Sequence, residues 1–162
     1  MKNRNELCLI LHDIRSAYNV GAIMRTADGA GVKKIYLTGY TPAPYSKKSP
    51  YATQAQRQIS KTALGAEESV LWEKEEKILK LIDKLRKKKI SIIALEQSKK
   101  SFNFRKAKYK FPCALILGNE TEGIEKEILK KCDFVVDIPM RGKKESLNVS
   151  VSAGIAIYEI TK

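Results

Sequence analysis

The stretch Leu115-Ile116-Leu117-Gly118-Asn119-Glu120-Thr121-Glu122-Gly123-Ile124 decides the fold. With Cys113 and Ala114 its first three residues form an apolar run of strand length. The run ends in an acidic turn bracketed by two glycines, and an apolar residue then opens a helix. A strand that is apolar at every position is covered on both faces, as in a parallel sheet flanked by helices. Such sheets bind their ligands at the carboxyl ends of the strands, so this turn falls where chemistry is expected. Acid rather than base there argues against a phosphate and for a neutral or cationic ligand. Asn119 and Glu120 also suit plain capping of the following helix.

Outward from this stretch, strands and helices alternate. Leu7–Leu11 is a second continuous apolar run, and Val20, Ile23, Met24 and Ala27 give helical spacing over residues 20–30, closed by Gly29 and Gly31. Lys33–Leu37 reads as a strand. Residues 39–58 carry Gly39, Pro42, Pro44 and Pro50 with no sustained period, which predicts a long loop. Glu73–Lys89 has the stripe Ile78, Leu81, Ile82 and Leu85 of an amphipathic helix. Ile90–Leu95 and Phe134–Ile138 are further strands, and a short helix spans about 124–131. The pattern is α/β, a single domain over 1–162 built on a mainly parallel sheet flanked by helices. From Leu147 to Ile160 apolar residues point in nearly every direction, so this last helix must be enclosed by the fold or by a partner subunit. A homodimer is the economical answer.

Composition narrows the function classes. The 162 residues are 43% hydrophobic and 30% charged, a globular mixture. No apolar stretch is long enough to span a membrane. Met1–Glu6 leads straight into a short apolar run, which predicts no signal peptide. Cys8, Cys113 and Cys132 are odd in number and sit in apolar surroundings, as expected of reduced thiols in a cytoplasmic protein. One histidine, His12, and no Cys-x-x-Cys leave a zinc site without ligands, and His12 reads as a strand-end residue with no catalytic role. Lys and Arg number 31 against 18 Asp and Glu, a net charge of +13. Residues 80–110 hold twelve of the bases and two of the acids, so the field is concentrated and suits a polyanion such as nucleic acid. Solvated lysine-rich helix faces would give the same composition.

No glycine-rich dinucleotide fingerprint, P-loop or nucleophile elbow is present. Three segments instead carry polar residues that the fold does not demand. In Asn19-Val20-Gly21-Ala22-Ile23-Met24-Arg25-Thr26-Ala27, Asn19 is placed to cap the helix, and Gly21 admits a ligand or a backbone. Arg25 stands among small and apolar residues, so its guanidinium faces a cleft or a partner, unless it is an ordinary surface arginine. The second segment is the acidic turn. The third, Ile138-Pro139-Met140 followed by Ser146-Leu147-Asn148-Val149-Ser150, puts polar side chains at a buried helix start, where they cap it or bind something.

Together these segments resemble the SpoU/TrmH family of RNA ribose methyltransferases, in the SPOUT class. The first family motif is matched by Asn19, Gly21, Arg25, Thr26 and Ala27, and the second by Gly118, Glu120 and Gly123. The third is matched by Ile138–Met140 and Ser146–Ser150, with all three in order. The chain looks like the short members that lack an added RNA-binding domain. The resemblance implies a C-terminal deep trefoil knot over about 90–161, against the general rarity of knots. It also implies a homodimer with the active site assembled across its interface.

The implied reaction transfers methyl from S-adenosyl-L-methionine to a ribose 2′-hydroxyl of tRNA or rRNA, with tRNA slightly favoured and no metal. By resemblance, the cofactor-binding residues are Leu95, Gly118, Ile138, Ser146 and Leu147, and Arg25 is the catalytic arginine. Asn19, Glu120 and Asn148 would orient the target nucleotide and Arg25. A guanidinium is almost never deprotonated, which favours Arg25 as a clamp over a base. Tyr40, Tyr45 and Tyr51, interleaved with Lys47 and Lys48, could stack bases and hold phosphates or form a plain surface loop. Alternative readings are a SPOUT methyltransferase of base nitrogens and a non-catalytic RNA-binding protein.

Overall fold

A computed structural model describes residues 6–162; the polar lead-in Met1–Asn5 lies outside the described residues. Seven strands form one sheet: β1 (Leu7–His12), β2 (Lys34–Thr38), β3 (Trp72–Lys74), β4 (Ser91–Leu95), β5 (Phe102–Asn103), β6 (Cys113–Leu117) and β7 (Phe134–Asp137). Their order is β3-β2-β1-β6-β4-β7-β5 and every pairing is parallel. The fully apolar central strands are buried at each position of β1 and β6. Alternation then sorts their side chains onto two faces. Leu7, Leu9, Leu11 and Leu115 pack beneath α1 (Ala17–Gly29), α2 (Gln54–Ala63) and α6 (Val149–Thr161). Cys8, Ile10, Ala114 and Ile116 pack beneath α4 (Ile78–Lys87) and α5 (Lys126–Lys131). A parallel sheet brings all carboxyl ends to one edge, and the ends of β4, β6 and β7 lie side by side there.

Several expectations need correction. Residues 39–58 are a loop only to residue 53, because Thr53 and Gln56 form a capping box that starts α2. Only Ile59 and Ala63 of α2 are buried, too thin a stripe to show as a period. A one-turn helix, α3 (Ala66–Ser69), follows it. Glu73 does not begin the basic helix. It lies in β3, where it accepts from Lys34 Nζ at 2.5 Å, and α4 starts at Ile78. The first helix starts at Ala17, with Ser16 as its N-cap in place of Asn19. Among the described residues no helix is long and apolar enough to cross a membrane.

The last helix is only half enclosed within one chain. Val149, Ala153, Ala156, Ile157 and Ile160 of α6 are buried, while Leu147, Val151, Ile155 and Tyr158 stay exposed. Within the helix Val151, Ile155 and Tyr158 follow one another at intervals of four and three residues, so they form an apolar stripe along one side, while Leu147 lies just before its N-cap. Burial raises the thiols of Cys113 and Cys132 to about 12, which leaves them unreactive packing groups.

Gly21 is explained by packing. A Cβ there would meet Thr62 Oγ1 and the Ile59 carbonyl oxygen well inside van der Waals contact. The neighbour that needs the glycine is therefore the backbone of α2. Gly21→Ala is expected to destabilise the protein by about 1–3 kcal/mol, since one partner is backbone and cannot rotate away. A urea midpoint unchanged from wild type at equal protein concentration would show that α1 and α2 do not pack this closely.

Candidate active site

At the carboxyl edge, the turn after β6 closes on itself. Asn119 Oδ1 accepts from the backbone N–H groups of Thr121 and Glu122, both at 2.8 Å, and Gly123 N donates to Asn119 O at 3.0 Å. Neither bracketing glycine leaves space beside it. A Cβ on Gly118 would strike Ile124 and the Gly123 backbone, and one on Gly123, at φ 71°, would strike the Glu96 carboxylate. Glu96 in turn accepts from Ile124 N at 2.9 Å and so fixes the far end of the turn. Sequence reading missed Glu96; its position just past β4, whose neighbour is β6, is the signal that could have found it.

Glu120 binds three donors. Its carboxylate accepts from Arg15 N (3.0 Å), Ser16 N (3.1 Å) and Asn19 Nδ2 (3.1 Å). Asn19 Oδ1 then accepts from Asn148 Nδ2 at 3.2 Å, and Asn148 Oδ1 accepts from Ser150 N at 2.8 Å, which makes Asn148 the N-cap of α6. A carboxylate only accepts, so the chain of bonds has one direction and both amides are oriented by it. Asn19 reaches this relay because Ser16 caps α1, Ser16 Oγ taking the Asn19 N–H. Asn19, Glu120 and Asn148, one from each motif, are thus brought together. Partial burial opposes the charge on Glu120, but the bonds from Arg15, Ser16 and Asn19 outweigh it and hold its pKa below the ordinary carboxylate value.

The relay stands at the rim of a cleft of about 1310 Å³. All five expected cofactor residues, Leu95, Gly118, Ile138, Ser146 and Leu147, line it, and so do Glu120 and Met140. Gln97 Nε2 donates to Glu145 O at 2.7 Å, which ties the loop after β4 to the segment that leads into α6. Ser146, Leu147 and Asn148 are exposed, so the expected buried helix start is open to the cleft instead. Leu95, Leu117, Ile138 and Leu147 offer apolar walls for a flat ring, while the loop backbone and Ser146 offer polar groups. An adenosine-bearing cofactor fits that donor set.

Arg25 is elsewhere. It is exposed on α1, in a shallow pocket with Lys61, Thr62 and Tyr158, and does not line the cleft. Tyr158 belongs to the apolar stripe of α6, so Arg25 sits beside the surface a partner would cover.

Behind the turn, His12 is buried with Nδ1 2.9 Å from Thr38 Oγ1. Its Nε2 lies 3.4 Å from Asp13 Oδ2 and 3.2 Å from Glu125 Oε2. The structure therefore gathers a mixed His12, Asp13 and Glu125 group that counting cysteines and histidines did not reveal.

Known proteins share this fold. The profile of the SpoU rRNA Methylase family matches residues 6–158, and the chain belongs to that family. A tRNA (guanosine(18)-2′-O)-methyltransferase of Aquifex aeolicus is 32% identical over 98% of this chain and 70% of its own length. A 23S rRNA (guanosine-2′-O-)-methyltransferase of Ralstonia nicotianae is 31% identical over 96% of this chain and 58% of its own. An AdoMet-bound rRNA methyltransferase of Sinorhizobium meliloti superposes with a TM-score of 0.80 at 25% identity, over 98% of this chain and 56% of that one. The chain spans little more than half the length of several curated relatives that it matches.

The lowered pKa of Glu120 has a defined pH signature. Its contribution to stability is fully present above the unfolded carboxylate value and is lost as pH falls through the lower folded value. Glu120→Gln removes that contribution. The stability gap between wild type and variant is therefore expected to be widest near neutral pH and to shrink under acid. Equal gaps at pH 7 and at low pH in urea unfolding would contradict the relay.

Proposed function

We propose that the protein is an S-adenosylmethionine-dependent RNA methyltransferase that acts as a homodimer on a ribose 2′-hydroxyl of tRNA or rRNA. The observation that carries this reading is the convergence of all five expected cofactor residues on one cleft whose rim is the Glu120–Asn19–Asn148 relay. The whole chain serves as one methyltransferase domain, with about 90–161 as its threaded, knotted part.

Bound in the cleft, S-adenosylmethionine supplies an electrophilic methyl group on a sulfonium. Leu95, Ile138 and Leu147 would enclose the adenine, and the backbone around Gly118 and Ser146 would hold the rest of the cofactor by hydrogen bonds. Asn19, Glu120 and Asn148 satisfy one another, so they act as positioning residues that hold α1, the acidic turn and the start of α6 in register. Engaged on three donors, Glu120 is a poor base. Methyl transfer needs oxygen, methyl and sulfur in line, and this fixed frame favours that alignment.

Arg25 completes the site from the partner subunit. Covering Val151, Ile155 and Tyr158 with a second copy removes the exposed apolar stripe from water and buries the neighbourhood of Arg25 in the same step. Its permanently charged guanidinium then clamps the target phosphate and the reacting hydroxyl. The basic stretch 80–110 supplies the long-range attraction for RNA.

Purified protein with labelled S-adenosylmethionine and unmodified tRNA or rRNA should yield a 2′-O-methyl nucleoside on digestion. A methylated base in its place would favour the base-nitrogen reading, and no cofactor binding would favour the RNA-binding protein. Arg25→Ala is expected to lower transfer by roughly 10²-fold or more with cofactor affinity unchanged. Subunit mixing locates the arginine. Arg25→Ala protein mixed in equal amount with a cleft variant such as Leu147→Asp should recover about a quarter of wild-type activity, because half of all the dimers are mixed and each of those carries one intact site of two. No recovery would place Arg25 and the cleft in the same subunit.

A further inference from the structure

The loop after β2 holds a second binding feature beside the cleft. Tyr40 is 57% exposed, yet it is fixed from several directions. Its N–H donates to Asp13 Oδ1 at 3.0 Å. Lys74 Nζ donates to the carbonyls on either side of it, Gly39 O at 2.7 Å and Thr41 O at 2.6 Å. Its hydroxyl accepts from Asn119 Nδ2 at 2.7 Å. Gly39 has φ 60°, and Asp13 Oδ1 occupies the space of a Cβ there, so the turn closes only on glycine. Holding an exposed side chain this firmly costs conformational entropy that its own burial does not return. Tyr45, by contrast, bonds only within its own loop through Ser49 O, and Tyr51 is 82% exposed.

We propose that Tyr40 is a preset stacking platform for an unpaired nucleobase of the RNA, placed next to the nucleotide that enters the cleft. This rests on the RNA reading given above. Three observations support it. First, the ring is held at its hydroxyl by Asn119 and its backbone by Asp13 and Lys74, so a base that stacks on it pays less ordering entropy. Second, Asn119, which holds the Tyr40 hydroxyl, is also a wall of the cleft, so one residue links the platform to the methylation site. Third, the charges near the ring are the acids Asp13 and Glu122, with Arg15 as the weaker opposing cation. Those acids repel phosphate, so the uncharged base is the part of a nucleotide that suits the ring, while Lys47 and Lys48 are exposed for the phosphates. Local desolvation of the hydroxyl, together with those acids, raises the phenol above its ordinary value. It therefore stays protonated, accepts from Asn119 and keeps its own proton to donate to a base. Stacking on an aromatic face tolerates every base, so the platform sets position more than sequence.

The test uses the full chain, Tyr40→Ala and Tyr40→Phe, each titrated at low salt against fluorescent unmodified tRNA and an unmodified ribosomal RNA fragment. S-adenosylmethionine affinity and melting temperature are measured on the same samples. Tyr40→Ala is expected to weaken RNA binding roughly tenfold, and Tyr40→Phe to stay within about threefold of wild type, with cofactor affinity unchanged in both. Undiminished RNA affinity in Tyr40→Ala overturns the platform and leaves the methyltransferase reading standing. Equal losses in the two variants also overturn it, because the bond to Asn119 would then matter and the ring would not. So does a matching loss of cofactor affinity, which signals a damaged cleft. Wild-type protein that binds neither RNA overturns the RNA reading and the platform together.

Discussion

The carboxylate of Glu120 is the fixed point of this molecule. It sits two residues past Gly118 in the turn that follows β6, and three donors from the start of α1 converge on it. Two of those donors are backbone groups at or just before a helix N-terminus, where the helix dipole adds to the attraction. Asn19 and Asn148 pass the constraint on to α6. Without that charge, the start of α1, the turn after β6 and the segment entering α6 would be three loops at one sheet edge with no common reference. With it, the walls of the cleft are set before any ligand arrives, and preorganisation of this kind is how a site avoids ordering costs during reaction.

The local charge around that point opposes the charge of the whole. A chain with a net charge of +13 sets six acids around its cleft, Glu96, Glu120, Glu122 and Glu145 with Asp133 and Asp137, against the four lysines Lys99, Lys100, Lys126 and Lys130. The two regimes do different things. The basic surface acts at a distance and weakens with salt, while the acidic rim acts at contact and rejects phosphate from the innermost positions. In the proposed function a polyanion would be drawn in by the first and oriented by the second.

Much of this was legible in the sequence. Strands such as Leu7–Leu11 and Cys113–Leu117 are apolar throughout because both faces are covered, and that pattern has no other economical reading. The cleft residues were legible through the family resemblance that the three motifs carry: Leu95 closes β4, Gly118 and Ile138 directly follow β6 and β7, and Ser146 and Leu147 lie just before α6. What escaped had weak or ambiguous periodicity. α2 buries only two residues, and β3 is three residues long with Glu73 and Lys74 in it, so its pairing with β2 is visible only in space. Asn19 looked like a cap because capping asparagines and relay asparagines have the same local sequence; Ser16, three residues earlier, takes the cap and frees it. Arg25 looked adjacent to Asn19 in sequence, but six helical residues turn it toward α6 and away from the cleft. Glu96 and Tyr40 matter through partners more than twenty residues away, which no local window contains.

α6 has a further consequence, for tolerance to change. One side of it, Ala153, Ala156, Ile157 and Ile160, fills the core, and its cap Asn148 belongs to the relay. Another side carries Val151, Ile155 and Tyr158, and a Cβ at Gly154 would lie 3.7 Å from Thr26 on α1, in ordinary contact. α4 differs, since its lysines face solvent and any one of them can be exchanged at little cost to the fold. Random substitution would therefore accumulate on α4 and be rejected along α6. The helix that looks chemically plainest, with no charged residue before Glu159, would be the slowest part of the chain to diverge.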